Sequence, residues 1–175
     1  MFQKFYPTQW VDSAYEVDYE QLYENGVRGL IYDVDNTLVM HGAPADARAI
    51  ALFRRLHELG FTTCILSNNK DPRVRPFADA VSSLYICEAH KPSRKNYARA
   101  MRMMDTDDKN TYFIGDQLFT DIYGANRAGI PTILVHPIDK KEEIQIILKR
   151  RLEWIVLAFY RRKIRRDMKN NGCKD

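Results

Sequence analysis

A run of apolar residues that ends in two aspartates, Asp33 and Asp35, constrains the fold more than any other part of this 175-residue sequence. The apolar run predicts a buried strand over Gly29–Val34, and the turn-forming Asn36 predicts that a loop follows it. Because side chains alternate along a strand, we expect Asp33 and Asp35 to point the same way at its carboxyl end.

Two neighbouring carboxylates repel each other, and the repulsion raises the pKa of one of them unless a cation neutralises the pair. Carboxylate oxygens arranged in this way are ligands that suit Mg²⁺. The pattern therefore predicts a functional site at Asp33 and Asp35. The alternative is an ordinary turn, in which Asp35 and Asn36 only cap the loop.

Three more predicted strands are each followed by polar residues. These residues are Ser67 and Asn68 after Phe61–Leu66, Lys91 after Leu84–Cys87, and Asp116 and Asp121 after Thr111–Ile114. In an open α/β sheet, the loops at the carboxyl ends of parallel strands share one crevice. We therefore expect the four groups of polar side chains to meet at one edge of the sheet, although they are distant in sequence.

Predicted helices alternate with these strands, as in βαβ units. The pattern predicts helices over Asp18–Leu22, Pro44–Gly60, Asp71–Ala80, Pro92–Met104 and Leu118–Ala128, and a last strand over Thr132–Val135. Right-handed crossovers place such helices on both faces of a parallel sheet. The expected fold class is therefore α/β, with a Rossmann-like parallel sheet.

Four motifs follow one another in the chain: DVDNTL from Asp33, SNN from Ser67, KP from Lys91 and GDQLFTD from Gly115. With this set the chain resembles the haloacid dehalogenase (HAD) superfamily of aspartyl-phosphate phosphatases. Within it, the chain is most similar to the capless subfamily III, YqeG-type branch, whose relatives include phosphatidylglycerophosphate phosphatases. The resemblance covers residues 20–137, and the FYP segment that starts at Phe5 is also similar to that branch.

The resemblance implies a role for each motif residue. Asp33 corresponds to the nucleophile, which attacks phosphorus and becomes an aspartyl phosphate. Asp35 corresponds to the general acid and base, which protonates the leaving oxygen and later accepts a proton from water. Ser67 and the backbone of Asn68 would hold phosphate oxygens. Lys91 would balance the charge of the transition state and keep Asp33 ionised.

The same resemblance implies Mg²⁺ as the cofactor. Asp33 and Asp116 would bind the ion through their carboxylates, and Asp35 would bind it through its backbone carbonyl. Asp121 would support the ion directly or through water. Phosphoryl transfer depends mainly on positioning and charge neutralisation, which one metal ion and one lysine supply.

Simpler roles are open to several of these residues. Ser67 and Asn68 fit an ordinary exit from a strand into a turn. A single lysine such as Lys91 is most often a solvated surface residue. Asp121 fits the N-cap of the helix that follows it.

The spacing of the motifs leaves no room for a large cap domain. One helix and one strand fill the residues between Asp35 and Ser67, and another such pair fills those between Lys91 and Asp116. The resemblance gives these two places as the sites where HAD proteins insert caps. An uncovered crevice encloses a small metabolite poorly. We therefore expect a phosphate that is carried on something large, such as a lipid, a protein or a nucleic acid.

The residues after Asp139 form a basic segment, whereas residues 1–139 carry a net negative charge. Residues 140–175 contain 12 Lys and Arg and 5 Asp and Glu, a net charge of +7, although the whole chain carries only +4. Apolar residues repeat at helical spacing from Ile144 to Phe159, and they predict a basic amphipathic helix over residues 139–166. Residues 167–175 are expected to be a flexible tail.

Three interpretations of this helix are open. Trp154 and Phe159 can fill a groove of the catalytic domain. The helix can instead lie in an anionic membrane interface, which suits basic amphipathic helices with aromatic residues. Nucleic acid is the least favoured partner, because no known nucleic-acid-binding motif accompanies the positive charge. The first two interpretations are compatible if one face packs and the basic end faces lipid headgroups.

We expect three parts before the tail: residues 1–28 packing on the core, a catalytic core over residues 29–138, and the helix over residues 139–166. Cys64 and Cys87 lie in or beside predicted strands, and the N-terminus lacks the order of a signal peptide. We therefore expect a cytoplasmic protein, held peripherally at the inner face of the membrane if the helix binds lipid. The pattern does not indicate an oligomeric state.

These features lead us to expect a Mg²⁺-dependent phosphatase that acts on phosphatidylglycerophosphate or another membrane phosphate ester. The substrate is implied by the resemblance, and the missing cap and the basic segment support it. The alternatives are a soluble phosphatase of nucleotides or phosphosugars, and a non-catalytic phosphate-binding or scaffold protein. The joint presence of Asp35 and Lys91 argues against a scaffold, which needs neither residue.

Overall fold

The computed structural model describes residues 3–139 and 156–166, and six strands in them form one parallel sheet. The strands are β1 (Gln9–Val11), β2 (Gly29–Tyr32), β3 (Thr62–Leu66), β4 (Leu84–Ile86), β5 (Thr111–Gly115) and β6 (Thr132–Val135). Their order across the sheet is β1-β6-β5-β2-β3-β4. The expected α/β fold with a parallel sheet is confirmed.

Helices connect the strands. They are α1 (Tyr19–Glu24), α2 (Ala47–Leu59), α3 (Asp71–Ala80), α4 (Arg94–Met103) and α5 (Tyr123–Arg127), with 3₁₀ turns at Gln3–Phe5 and Ala14–Glu16 and a π turn at Leu118–Ile122. Residues 156–166 are also helical. None of the helices in the described part of the chain is long and apolar enough to cross a membrane.

Alternate residues of β2 contact helices on opposite faces of the sheet. Tyr32 packs in a cluster that contains Phe53 of α2 and Phe77 of α3. Its neighbour Ile31 packs in a second cluster, which contains Tyr97 of α4. All four residues of β2 are buried. The sheet is therefore covered on both faces, as the right-handed crossovers of a parallel sheet require.

The predicted start of the second helix was wrong by three residues. Pro44 lies in the preceding loop, and Asp46 is the N-cap, since its carboxylate accepts a hydrogen bond from Ala49 N at 2.7 Å. An aspartate N-cap satisfies a backbone N–H that lacks a partner within the helix. The predicted end was correct, because Gly60 is the C-cap and has a φ of 98°, which glycine adopts without strain.

The chain between the motifs contains no inserted cap domain. Residues 36–66 and 92–115, which are described throughout, contain only loops, α2 with β3, and α4 with β5. The carboxyl ends of the strands therefore open directly to the surface. This part of the expectation is confirmed.

The N-terminal segment contributes a strand that the sequence pattern did not reveal. β1 pairs with β6 at the edge of the sheet, and Thr8 N donates to Thr132 O at 2.9 Å. The strand has only three residues, and its partner lies more than a hundred residues along the chain. A local pattern of apolar and polar residues cannot show such a pairing, because tertiary contacts decide it.

Residues 156–166 pack across the N-terminal segment. Val156 and Tyr160 are only 5% and 8% exposed. The Tyr160 hydroxyl donates to Pro7 O at 3.1 Å, and the Tyr160 ring lies 5.1 Å from that of Tyr6. The interpretation of a helix that docks on the domain is therefore correct for this part of it.

The residues that anchor the helix differ from those expected. Phe159 is 45% exposed and does not fill a groove. Trp154, the rest of the expected helix over residues 140–155, and the expected flexible tail over residues 167–175 lie outside the described residues. The difference in register arises because Val156 and Tyr160, one helical turn apart, face the aromatic residues of the N-terminal segment.

Replacing Tyr160 by alanine should lower the free energy of unfolding by about 2 kcal/mol or more, since the change empties a packed aromatic site and removes a hydrogen bond. The matched control is Phe159→Ala, at the preceding residue of the same helix, where the side chain is 45% exposed. Chemical denaturation measures both. Equal losses for the two variants would contradict the observed packing of the helix.

Candidate active site

The carboxyl ends of β5, β2, β3 and β4 lie side by side, and one cleft of about 150 Å³ opens above them. The predicted residues that line it are Asp33, Asp35, Ser67, Asn68 and Lys91. Asp116 and Asp121 are buried next to Asp33, and the carboxylates of the three lie within 4.8 Å of one another. The structure thus brings the four groups of polar residues together.

Lys91 lies between two of the aspartates. Its Nζ atom is 2.6 Å from Asp33 Oδ1 and 2.7 Å from Asp121 Oδ1. Its side chain is 4% exposed, so the alternative of a solvated surface lysine is wrong. Burial alone would lower the pKa of Lys91, but Asp121 and Asp33 outweigh it and raise the pKa, so the ammonium stays charged.

Asp33 has a strongly shifted pKa, which burial, the largest cause, and repulsion raise to about 7. The Lys91 ammonium opposes the shift, and the neighbouring Asp121 carboxylate adds to it. A smaller repulsive contribution comes from Asp35. The expected rise in pKa is therefore present, but burial and Asp121, rather than Asp35, are its main causes.

The carboxylates of Asp33, Asp116 and Asp121 form an acidic cluster that fits a divalent cation. Three carboxylates against one ammonium leave the group with excess negative charge when all are ionised. Oxygen donors of this kind are the ligands that hard divalent cations prefer. The Thr37 hydroxyl donates to Asp116 Oδ1 at 3.4 Å and orients that carboxylate. The donor set therefore fits a metal ion held between β2 and β5.

The Asp35 carboxylate lies outside this acidic cluster and has different partners. Its Oδ1 accepts hydrogen bonds from Gly42 N at 2.8 Å and Arg73 Nη2 at 2.7 Å, and its Oδ2 accepts one from Asn69 Nδ2 at 2.5 Å. The sequence predicted that Asp33 and Asp35 point the same way, on the assumption that the strand runs to Val34. Side chains alternate in direction only within a strand, and β2 ends before Asp33.

A tight turn separates the two aspartates from the following loop. Asn36 has a φ of 65°, in the left-handed region that asparagine adopts more readily than most residues. Its N–H donates to Val39 O at 2.7 Å, and Leu38 N donates to Val34 O at 2.9 Å. These bonds close the turn and hold Asp35 at the mouth of the cleft.

Ser67 and Asn68 line the cleft and also make local structural bonds. The Ser67 hydroxyl accepts a hydrogen bond from Asn69 N at 3.2 Å, which is typical of a strand that enters a turn. A hydroxyl that accepts one bond still has a proton to donate. The Asn68 side chain accepts a bond from Lys91 N at 2.7 Å and so fixes the backbone at that lysine. Both residues therefore help to shape the cleft.

Asp121 lies inside the π turn rather than at the N-cap of a helix. The N-cap is Gln117, whose N–H donates to Asp121 Oδ2 at 3.1 Å. The Tyr97 hydroxyl donates to Thr120 O at 2.9 Å and supports the same turn from α4. The predicted helix over Leu118–Ala128 is thus a π turn followed by α5. Such wide turns occur frequently at functional sites.

Several residues at the cleft have roles that sequence reasoning did not assign. They are Asn69 and Arg73, which hold Asp35, and His41, Gln117 and Thr120, which line the cleft. Asn69 was visible as the third residue of the SNN motif, but its partner was not. Arg73 had no signal beyond its place in the first turn of the following helix.

Comparisons with known proteins agree with this arrangement. The sequence model of the family described as HAD-hydrolase-like matches residues 88–144. The chain is 37% identical over 165 residues to a Bacillus subtilis (strain 168) protein named "Probable phosphatase YqeG", with 93% of this chain and 96% of that protein covered. It is 25% identical to the chloroplastic/mitochondrial phosphatidylglycerophosphate phosphatase 1 of Arabidopsis thaliana, with 87% of this chain but only 46% of that protein covered.

Solved structures share the fold at low sequence identity. One is the 3-deoxy-D-manno-octulosonate 8-phosphate phosphatase of Moraxella catarrhalis, solved with a magnesium ion, a phosphate ion and KDO (TM-score 0.54, 14% identity). The matched region covers 69% of this chain and 76% of the Moraxella chain. Another is a HAD superfamily (subfamily III A) hydrolase of Legionella pneumophila (TM-score 0.53, 16% identity), covering 70% of this chain and 71% of its own.

Replacing Lys91 by methionine should lower the free energy of unfolding by about 3–5 kcal/mol, because the change leaves two buried carboxylates without their cation. The matched control is Arg75→Met, which removes an exposed ion pair with Asp71 and should lower the free energy of unfolding far less. Denaturant unfolding at neutral pH without added metal measures both. If Lys91→Met lowered the free energy of unfolding as little as the control does, the buried ion pairs of Lys91 would not stabilise the fold as expected.

Proposed function

This chain belongs to the HAD-like hydrolase family, and from that premise we propose that it is a Mg²⁺-dependent phosphatase acting through an aspartyl phosphate on Asp33. The observation that carries the proposal is the buried contact of Asp33 with Lys91 inside the cluster of three aspartates. A phosphate-binding scaffold would need cationic and neutral donors, and three buried carboxylates would repel its anion. The cluster therefore favours an enzyme over the scaffold alternative.

The proposed reaction gives different roles to Asp33 and Asp35. A carboxylate oxygen of Asp33 attacks phosphorus, and the bond from phosphorus to the alcohol oxygen breaks. Asp35 gives a proton to that oxygen, so the alcohol leaves neutral. Water then attacks the phosphorus of the aspartyl phosphate, and Asp35 accepts a proton from it. Inorganic phosphate leaves and the Asp33 carboxylate is restored.

The other residues of the cleft hold charge in place during these steps. The Lys91 ammonium lies beside Asp33, where it keeps that carboxylate ionised and attracts the phosphoryl oxygens. Ser67 and the backbone of Asn68 bind phosphate oxygens from the neighbouring strand end. Mg²⁺ held by Asp33, Asp116 and the Asp35 backbone carbonyl, with support from Asp121, would neutralise charge on the phosphoryl group.

Replacing Asp33 by asparagine should reduce phosphate release from p-nitrophenyl phosphate to background, because the neutral amide cannot attack phosphorus. The fold should persist, since asparagine has the same shape and can still contact Lys91. Release of inorganic phosphate in the presence of Mg²⁺ measures the effect. Asp79→Asn on the exposed surface of α3 is the matched control and should keep wild-type activity.

The same assay tests the metal. Excess chelator should abolish activity, and Mg²⁺ should restore it. Mg²⁺ should also raise the melting temperature of the wild type, because a ligand that binds only the folded state stabilises it. Asp116→Asn should lose most of that rise. Full activity in excess chelator, or wild-type activity of Asp33→Asn, would refute the proposed function.

We further propose that the substrate is phosphatidylglycerophosphate or another phosphate ester presented at a membrane surface. Three observations support it: the open cleft, the Arabidopsis relative named for that lipid phosphatase, and the basic helix. One face of residues 156–166 packs on the domain through Val156 and Tyr160, while Arg162, Arg165 and Arg166 are exposed. An exposed row of cations is attracted to anionic headgroups.

Charge reversal of Arg162, Arg165 and Arg166 to glutamate should weaken binding to vesicles that contain phosphatidylglycerol by about 1 kcal/mol per residue at low salt. Arg161 is left in place because its guanidinium lies 4.7 Å over the Trp10 ring. Vesicle co-sedimentation measures binding, with phosphatidylcholine vesicles and the three Arg→Lys changes as controls. Hydrolysis of p-nitrophenyl phosphate should be retained. Unchanged binding to the anionic vesicles would rule out this membrane role.

A further inference from the structure

A second groove lies next to the catalytic cleft, since two of its lining residues donate hydrogen bonds to Asp35, which lines the cleft. It has a volume of about 270 Å³, and its lining includes Gly42, Pro44, Pro72, Arg73 and Pro76. We call it the Arg73 groove. Gly42 follows His41, which lines the cleft, and both Gly42 N and Arg73 Nη2 donate to the Asp35 carboxylate. Asp35 therefore stands at the boundary between the cleft and the Arg73 groove.

The walls of the Arg73 groove combine apolar surface with one positive charge. Pro44, Ala45, Pro72, Pro76 and Phe77 supply the apolar part. Among the lining residues, all of which belong to the described chain, only Arg73 is charged. Such a groove has the chemistry to hold a short carbon chain that carries a single anionic group.

Arg73 has hydrogen-bonding capacity that Asp35 does not use. A guanidinium has five N–H donors, and Asp35 accepts from one Nη2 hydrogen. The Nε atom is buried and has no hydrogen-bond partner within the described residues. The donors available to a ligand are therefore the remaining N–H groups of the two Nη atoms, since the Arg73 side chain is 23% exposed. Phosphate oxygens match the forked geometry of a guanidinium.

We propose that the Arg73 groove holds the alcohol part of the substrate, and that Arg73 binds a phosphodiester carried on that alcohol. The inference rests on the proposed function, in which Asp35 protonates the leaving oxygen. A general acid must lie within hydrogen-bond reach of that oxygen. The atoms attached to it therefore continue past Asp35, where the Arg73 groove begins. Arg73 is on this account a specificity-determining residue for phosphomonoesters whose alcohol carries a second negative charge.

Two soluble probes test this inference without a membrane. The first is glycerol 3-phosphate, and the second is the same molecule with a methyl phosphodiester on the other terminal hydroxyl. The wild type should prefer the second probe by roughly tenfold in kcat/KM, which one charge-assisted hydrogen bond can supply. The preference should appear mainly in KM, because Arg73 would bind the second anionic group equally in the ground state and the transition state. Arg73→Gln keeps an N–H donor for Asp35 but removes the charge, so the preference should disappear. Arg73→Lys should keep part of it.

The measured quantity is the ratio of the kcat/KM values for the two probes. If the substitution only displaced the Asp35 carboxylate, both reactions would slow equally and this ratio would not change. Arg75→Gln, two residues along α3 and 60% exposed, is the matched control and should keep both the activity and the ratio. Binding of both probes to Asp33→Asn, measured by calorimetry, repeats the comparison without turnover. An unchanged ratio in Arg73→Gln would overturn the inference and leave the proposed function intact. Turnover of neither probe by the wild type would refute the proposed function, and the binding ratio would then decide the inference.

Discussion

The ion pairs of Lys91 with Asp33 and Asp121 hold together the edge of the sheet that carries the candidate site. The ammonium is almost completely removed from water, a state that a lone lysine avoids because burial disfavours its charge. Two carboxylates at 2.6 and 2.7 Å reverse that preference. They come from the end of β2 and from the π turn after β5, while Lys91 follows β4. One side chain thus ties together three segments that are far apart in sequence.

The two aspartates of the first motif occupy different electrostatic environments, although only Val34 separates them. Asp33 is buried beside other carboxylates, so a cation is needed to keep it ionised. Asp35 faces a guanidinium, an amide and a backbone N–H at the mouth of the cleft. These environments suit the roles that we propose for the two residues, because a nucleophile must be ionised to attack and an acid must gain and lose a proton in turn. The difference arises because both aspartates follow the end of β2, and the turn at Asn36 holds Asp35 at the mouth of the cleft.

The sequence was sufficient to predict the parts of the site that follow from regular structure. The carboxyl ends of parallel strands share one edge, so Asp33, Ser67, Lys91 and Asp116 were expected to meet, and they do. The contacts of Asp35 with Asn69 and Arg73 depend on the conformation of the loops. The spacing of apolar residues in strands and helices carries no information about loop conformation. β1 was missed for a related reason, since its pairing with β6 is set by contacts across the whole chain.

The contacts of the N-terminal segment with β6 and with residues 156–166 affect the order in which the fold forms during synthesis. β1 has its hydrogen-bond partner in β6, and Pro7 accepts its bond from Tyr160. The N-terminal segment leaves the ribosome first, so these residues have no partners until β6 and residues 156–166 have also emerged. Contacts between such distant residues form slowly, because a long loop must close first. The outer edge of the sheet is therefore the last part to become protected, and a truncated nascent chain exposes its aromatic residues.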